Sequence, residues 1–288
     1  MKVAIASGKG GVGKTTVAAN LAYIASRYSS APVCLLDCDV EEPNCHIFVK
    51  PILDQKLPVY VNCPSYDPSL CTQCGQCADI CQFQAIVYVG KNILVFPDLC
   101  HGCGGCWRGC PEKAITKGQR TVGDIERGWA DGFAFVQGKL NIGEPSAVPV
   151  IRTVKSYADD NSFVIVDCPP GCSCPTIEAV RDCDFVILVC EPTPFGVHDL
   201  HLIVELLRLL EVPFGVVINR DGIGDSCAHD YCAREAIPII ASVPDDRIAA
   251  EACSRGELIV KSVPSVQKPM VEIYFSVASS LVGSESRP

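Results

Sequence analysis

The sequence predicts an α/β fold, a doubly wound and mostly parallel sheet with a compact α+β module inserted into it. Three observations lead there. Short apolar runs of β-branched character alternate with segments of helical period, a glycine-rich loop follows the first run, and the alternation stops between Cys63 and Gly118, where cysteines crowd. The runs Lys2–Ala6, Val33–Leu36, Phe163–Val166, Phe185–Val189, Phe214–Ile218 and Ile237–Ala241 have the length and composition of strands buried on both faces. Between them, Thr15–Arg27, Val197–Leu210 and Asp245–Ser254 carry apolar residues at helical spacing. After the cysteine block, Ile125–Leu140 reads as a hairpin through a glycine-rich stretch. Residues 1–62 and 119–288 then form one discontinuous domain, with 63–118 inserted between its halves. Such an insert is tolerable, because loop closure costs only about 0.6 kcal/mol per doubling of length.

With 48% hydrophobic and 20% charged residues, a chain of 288 residues can bury a full core. Its net charge of -9, without a basic run, argues against a nucleic-acid ligand. No apolar run approaches the ~20 residues of a membrane span, so a soluble protein is expected. Twenty cysteines would suit a disulfide framework in a short secreted chain. Here MKVAIASGKGG places a strand and a loop where a signal peptide would stand, which points to a reducing cytoplasm.

Gly8, Gly13, Lys14 and Thr15 satisfy G-x-x-x-x-G-K-T between an apolar strand and a helix-forming run, the context that makes this pattern a phosphate cradle. The glycines, including Gly10 and Gly11, let backbone N–H groups around Val12 turn toward phosphate, and the helix start from Lys14 to Thr16 adds positive potential. Lys14 reaches the outer phosphates of ATP, and the Thr15 hydroxyl binds Mg2+.

The full loop, GKGGVGKTT, resembles the deviant P-loop of the MinD, ParA, Mrp and nitrogenase iron protein superfamily. The resemblance implies an ATP-sandwich homodimer formed through the nucleotide face, or a heterodimer with a similar ATPase, in which Lys9 acts on the partner's nucleotide. Two further segments match, LLDCDVEEPN and VIVDCPPG. By the resemblance, Asp39 orients the attacking water, Asp37 supports the magnesium site, Asp167 is the Walker B acid, and Gly171 hinges the second switch. The stretches VINRD and SVPDD resemble the family's adenine-binding segments, placing Asn219 and Arg220 at the base.

Cys71, Cys74, Cys77 and Cys81 form C-x2-C-x2-C-x3-C, and Cys100, Cys103, Cys106 and Cys110 repeat it, the second run followed by Pro111. Cysteines at steps of three wrap three corners of one cubane, while the displaced fourth reaches the other cluster. One 4Fe-4S cluster is therefore expected on Cys71, Cys74, Cys77 and Cys110, and a second on Cys100, Cys103, Cys106 and Cys81, making the insert ferredoxin-like. Structural zinc uses separated cysteine pairs around one ion, which eight evenly stepped cysteines oversupply. Gln82 stands where the ferredoxin pattern has proline, which loosens the expectation for Cys81.

Among the remaining cysteines, Cys34, Cys183, Cys190 and Cys253 lie in apolar segments as small hydrophobes. Cys174 stands where the nitrogenase iron protein has its cluster cysteine, so the resemblance implies a bridging metal centre on Cys172 and Cys174 of two protomers. Scaffold relatives such as Mrp carry a late C-P-x-C pair, whereas Cys227 and Cys232 here are spaced differently. The C-terminal VEIYFSVASSLVGSESRP has helical apolar spacing and almost no positive charge, as a docked helix rather than a membrane anchor. Across nearly its whole length the chain is similar to MinD-type ATPases with an inserted ferredoxin domain, including the ATPase subunits of the orange protein complex. The function this implies is an ATP-driven dimeric switch delivering electrons to, or maturing a metal cofactor of, a partner protein. The alternative is a non-redox positioning or assembly ATPase whose clusters are sensory or structural.

Overall fold

The computed structural model describes residues 1–282 of the chain, so the last residues of the expected terminal helix segment, from Gly283 on, lie outside the described residues. Strand β1 (Lys2–Ala6) leads through the glycine loop into α1 (Lys14–Tyr28), followed by β2 (Val33–Asp37) and the short α2 (Cys45–Val49). A long strand, β3 (Ile52–Tyr66), leaves the sheet's edge. The segment beyond it holds α3 (Gln76–Ile80), β4 (Ile86–Val89), β5 (Asn92–Val95) and α4 (Gly105–Arg108). The chain returns along β6 (Ile115–Ala130) and turns into β7 (Phe133–Leu140). It then alternates through α5 (Val148–Lys155), β8 (Phe163–Asp167), α6 (Cys174–Val180), β9 (Phe185–Cys190), α7 (Pro194–Leu209) and β10 (Phe214–Asp221). The chain finishes with α8 (Cys227–Arg234), β11 (Ile239–Pro244), α9 (Arg247–Ser254) and α10 (Pro264–Val282).

These strands make a nine-stranded sheet in the order β11-β10-β9-β1-β8-β2-β7-β6-β3. It is parallel from β11 to β7 and antiparallel through β6 and β3. Helices cover both faces. On one, Val17, Leu21 and Ile24 of α1 and Met270 and Ile273 of α10 pack on Ile5, Leu35 and Ile165. On the other, Val150, Val154, Ile203 and Leu207 pack on Ala4, Leu36, Val166 and Leu188. Burial on both sides explains why the central strands read as unbroken apolar runs. Among the described residues, no helix is long and apolar enough to cross a membrane.

Two features depart from expectation. Ile237–Ala241 was expected as a strand, but pairing begins at Ile239 and continues to Pro244, while Ile237 is fixed in the core by its N–H to the Cys232 carbonyl at 2.9 Å. More consequential is β3, which no pattern announced. It is the outermost strand, mostly exposed over Ile52–Pro58, and it carries Asp54, Lys56 and Pro58, residues tolerated at an edge and hostile to a central strand. β3 pairs with β6 from Ile52–Trp129 to Tyr66–Ile115, so the expected hairpin is the second half of a three-stranded antiparallel extension. Cys63 and Gly118, the expected ends of the insertion, face each other inside this ribbon. The ribbon closes where the Asp67 N–H meets the Ala114 carbonyl at 2.8 Å.

One register row runs polar across half the sheet: Asp167 on β8, Asp37 on β2, Gln137 on β7, Glu126 on β6 and Lys56 on β3. Gln137 is buried and donates to Glu126 at 2.6 Å, and Glu126 pairs with Lys139 at 2.9 Å and Lys56 at 3.7 Å.

Candidate functional site

The glycine loop joins the C-terminal end of β1 to the start of α1, where β1, β8 and β2 present their ends together. Gly13 has φ +91°, and a Cβ there would lie 2.2 Å from the Asn219 amide nitrogen, so both the turn and the neighbour demand glycine. That same amide donates to the Val12 carbonyl at 2.8 Å, which ties the end of β10 to the loop. Gly10 and Gly11 are exposed at its tip.

Lys14 opens α1 and is buried, with its ammonium 2.7 Å from Asp167 Oδ1 and 3.7 Å from Asp39 Oδ2. The Thr15 hydroxyl donates to Asp167 Oδ2 at 2.7 Å. Asp37 lies beside Asp167 in strand register and accepts the N–H groups of Asp39 at 3.2 Å and of Asn44 and Cys45 at 3.0 Å each. Burial opposes the Lys14 charge, but Asp167, Asp39 and Asp37 override it and hold the ammonium above the usual lysine range. Burial, with Asp167 alongside, pushes the Asp37 carboxyl up to about 7, and burial raises Asp39 to about 6 despite Lys14. One ammonium thus serves three acids, two of them fully buried. The arrangement suits phosphate and a divalent cation, which would take over Lys14 and Thr15 respectively.

Sequence reasoning missed Cys45. It is fully buried, and its thiol donates to Asp167 Oδ2 at 3.3 Å. Among the described residues, Asp37, Cys45 and Asp167 form the group whose ligand atoms all lie within 4.8 Å of one another. The only signal was its place directly after LLDCDVEEPN.

Other expected residues are spread around this centre. The Gly171 N–H donates to the Ser7 carbonyl at 2.9 Å, joining the segment after β8 to the loop. Asn219, Arg220 and Thr16 border a cleft with Pro244, Asp245 and Cys253, next to the loop's inner side. Arg220 is turned by φ +55° and pairs with Glu191 at 2.8 Å. Lys9 is half-buried, its carbonyl accepting from the Ser7 hydroxyl at 2.7 Å. Cys172 and Cys174 are exposed outside the acidic centre, and burial together with Asp199 raises the Cys172 thiol.

In the segment beyond the ribbon, the two cysteine runs adopt matching geometry. The Gln73 N–H donates to Cys71 Sγ and the Gly102 N–H to Cys100 Sγ, each at 3.3 Å. Gly75 (φ +79°) and Gly104 (φ +84°) then start α3 and α4. Cys71, Cys74, Cys77 and Cys110 line one cavity, so a cysteine of the second run joins three of the first. Reciprocally, Cys81 packs against the small buried cluster that holds Cys100. An N–H aimed at sulfur stabilises thiolate and tunes metal bound to it. The residues present therefore fit paired thiolate-held groups.

Residues 3–259 match the CobQ/CobB/MinD/ParA nucleotide binding domain. An uncharacterized protein of Methanocaldococcus jannaschii is 32% identical over 277 residues, 95% of each chain. An iron-sulfur cluster carrier protein of Pyrococcus abyssi is 25% identical over 298 residues, covering 98% of this chain and 85% of that one. Among solved structures, the septum site-determining protein MinD of Pyrococcus horikoshii, complexed with Mg-ADP, shares the fold at a TM-score of 0.61 and 18% identity, covering 100% of this chain and 99% of its own.

Proposed function

The chain belongs to the CobQ/CobB/MinD/ParA nucleotide-binding family, and from that membership we propose an ATP-hydrolysing dimeric switch coupled to two 4Fe-4S clusters that serve a partner protein. The observation that carries this reading is that the β3–β6 ribbon, with the eight-cysteine segment at its far end, belongs to the same sheet as Asp37 and Asp167. The cysteine segment, residues 67–114 in this reading, is a ferredoxin-like module, with the clusters on Cys71, Cys74, Cys77 and Cys110 and on Cys100, Cys103, Cys106 and Cys81. A tetrahedral zinc with bonds of ~2.3 Å draws its sulfurs to about 3.8 Å of one another. Eight evenly stepped cysteines exceed the four that one such ion takes. Such clusters supply one-electron transfer.

On the nucleotide side, Lys14 would exchange the Asp167 carboxylate for the outer phosphates, and Thr15 would offer its hydroxyl oxygen to Mg2+. Asp167 and Asp37 are then left to hold the cation's water shell, and Asp39 positions the attacking water. Asn219 and Arg220 border the base. The polar row through Gln137 and Glu126 gives these changes a route to the ribbon. The relative named as an iron-sulfur cluster carrier supports cluster or metal-cofactor delivery as the partner's side of the reaction. The net charge of -9 and the cysteine content suit a cytoplasmic protein partner rather than nucleic acid or membrane.

Closure of a dimer with Lys9 reaching the partner's nucleotide has a direct test. Lys9→Ala should lower ATP turnover by about 10³, the worth of a cation stabilising phosphoryl transfer, while equilibrium ATP binding changes little. Turnover equal to that of the unsubstituted protein would remove the shared-site dimer.

A further inference from the structure

Cys63 belongs to neither run, yet it sits against the second. It lies on β3, opposite Gly118 in the ribbon, and is 6% exposed. With Ala85 and Cys100 it forms a small apolar cluster onto which Cys81 also packs. Cys100 and Cys81 are the first and last ligands of the second cluster in the reading above, so a ninth thiol meets that cluster's ligands from the ribbon side. The neighbouring apolar cluster around Cys71, Cys77 and Cys110 holds cysteines of the two runs only.

The surroundings suit a ligand. The strand presses close at this point, with a Cβ on Gly102 falling 3.1 Å from the Asn62 carbonyl. Arg120 on β6 pairs with Glu144 and donates to the Cys100 carbonyl at 3.5 Å. The Arg120 Nε is buried without a partner. Cys81, by contrast, is only partly buried and is followed by Gln82 instead of the proline that stiffens the position after Cys110.

We infer that Cys63 is an alternative ligand of the second cluster, which Cys100, Cys103 and Cys106 hold in common with either Cys81 or Cys63. The exchange is a ligand substitution without electron transfer. The Cys63 thiol releases its proton as its sulfur bonds to iron, and the departing Cys81 sulfur takes up a proton. Because Cys63 stands on β3, the choice of ligand fastens the cluster to the ribbon or frees it.

This inference rests on the two-cluster reading, and the test separates the two. Full-length Cys81→Ala, Cys63→Ala, Cys63→Val and the Cys81→Ala, Cys63→Val pair are reconstituted anaerobically. Iron and sulfide are counted, electron paramagnetic resonance is recorded after oxidation, and ATP binding checks the fold. Each single variant should keep about eight irons, while the pair should lose iron from one cluster and show a three-iron signal. A three-iron signal from Cys81→Ala alone, or iron loss no greater in the pair than in Cys81→Ala, overturns the alternative ligand and leaves the clusters standing. Iron-free unsubstituted protein overturns both.

Discussion

Lys14→Met should weaken the folded chain by about 3–5 kcal/mol before any nucleotide is added, the usual result of removing one partner from a buried ion pair. Asp167 and Asp37 are fully buried and Asp39 partly so, and Lys14 is the ammonium in contact with Asp167 and Asp39. The deficit should depend on pH with a definite sign. In the unfolded chain these carboxyls titrate near ~3.9, whereas Asp37 is already raised to about 7 in the fold. Without the ammonium the folded Asp37 and Asp39 carboxyls rise further, so between these limits the folded state binds protons that the unfolded state has released. Stability of the variant therefore falls as pH climbs toward 8 and recovers as pH falls. Chemical denaturation at pH 6 and pH 8 measures this, and an equal midpoint for variant and unsubstituted protein at pH 8 would contradict it. Adding Asp167→Asn should restore much of the stability. It should not restore ATP turnover, which is expected to drop by at least about 10² once the phosphate-facing cation is gone.

Cys110→Ala, in the second run, should damage the cluster held by the first run. The reason is the shared cavity of Cys71, Cys74, Cys77 and Cys110. Combined variants make the effect large. The Cys74→Ala, Cys110→Ala pair should keep about four irons because both changes strike one cluster, while the Cys103→Ala, Cys110→Ala pair strikes both clusters once and should lose iron from each, with three-iron signals in place of two intact clusters. Iron counting and reduced-state spectra distinguish the two pairs. The opposite pattern, one cluster lost in the Cys103→Ala, Cys110→Ala pair and both damaged in the Cys74→Ala, Cys110→Ala pair, would mean that each run holds its own cluster, contrary to the crossed arrangement.

How much of this could be read beforehand depended on whether the cause was local. The glycine loop, Lys14, Thr15 and the strand ends at Asp37 and Asp167 announce themselves because strand, turn and helix follow one another within a few residues. The cysteine steps are legible for the same reason. β3 was not, since its pairing is with β6 on the far side of the cysteine segment and its exposed residues need no apolar alternation. Cys63 and Gly118, the ends of the insertion expected from the cysteine block, face each other within that ribbon. Cys45 and Asn219 act across long stretches of chain. Asn219 came within reach only by resemblance, and its contact with Val12 is purely tertiary. Arg120 reads as a surface residue of a ribbon until Cys100 is seen beneath it.

The account stands or falls on whether the nucleotide site and the cysteine segment act on each other. The direct measurement is an anaerobic potentiometric titration of the intact, cluster-loaded chain, run without nucleotide and again with saturating Mg-ATP. A displaced midpoint for at least one cluster, absent in Lys14→Met, is the predicted result; superimposable curves in a protein that demonstrably binds ATP and holds both clusters would contradict it.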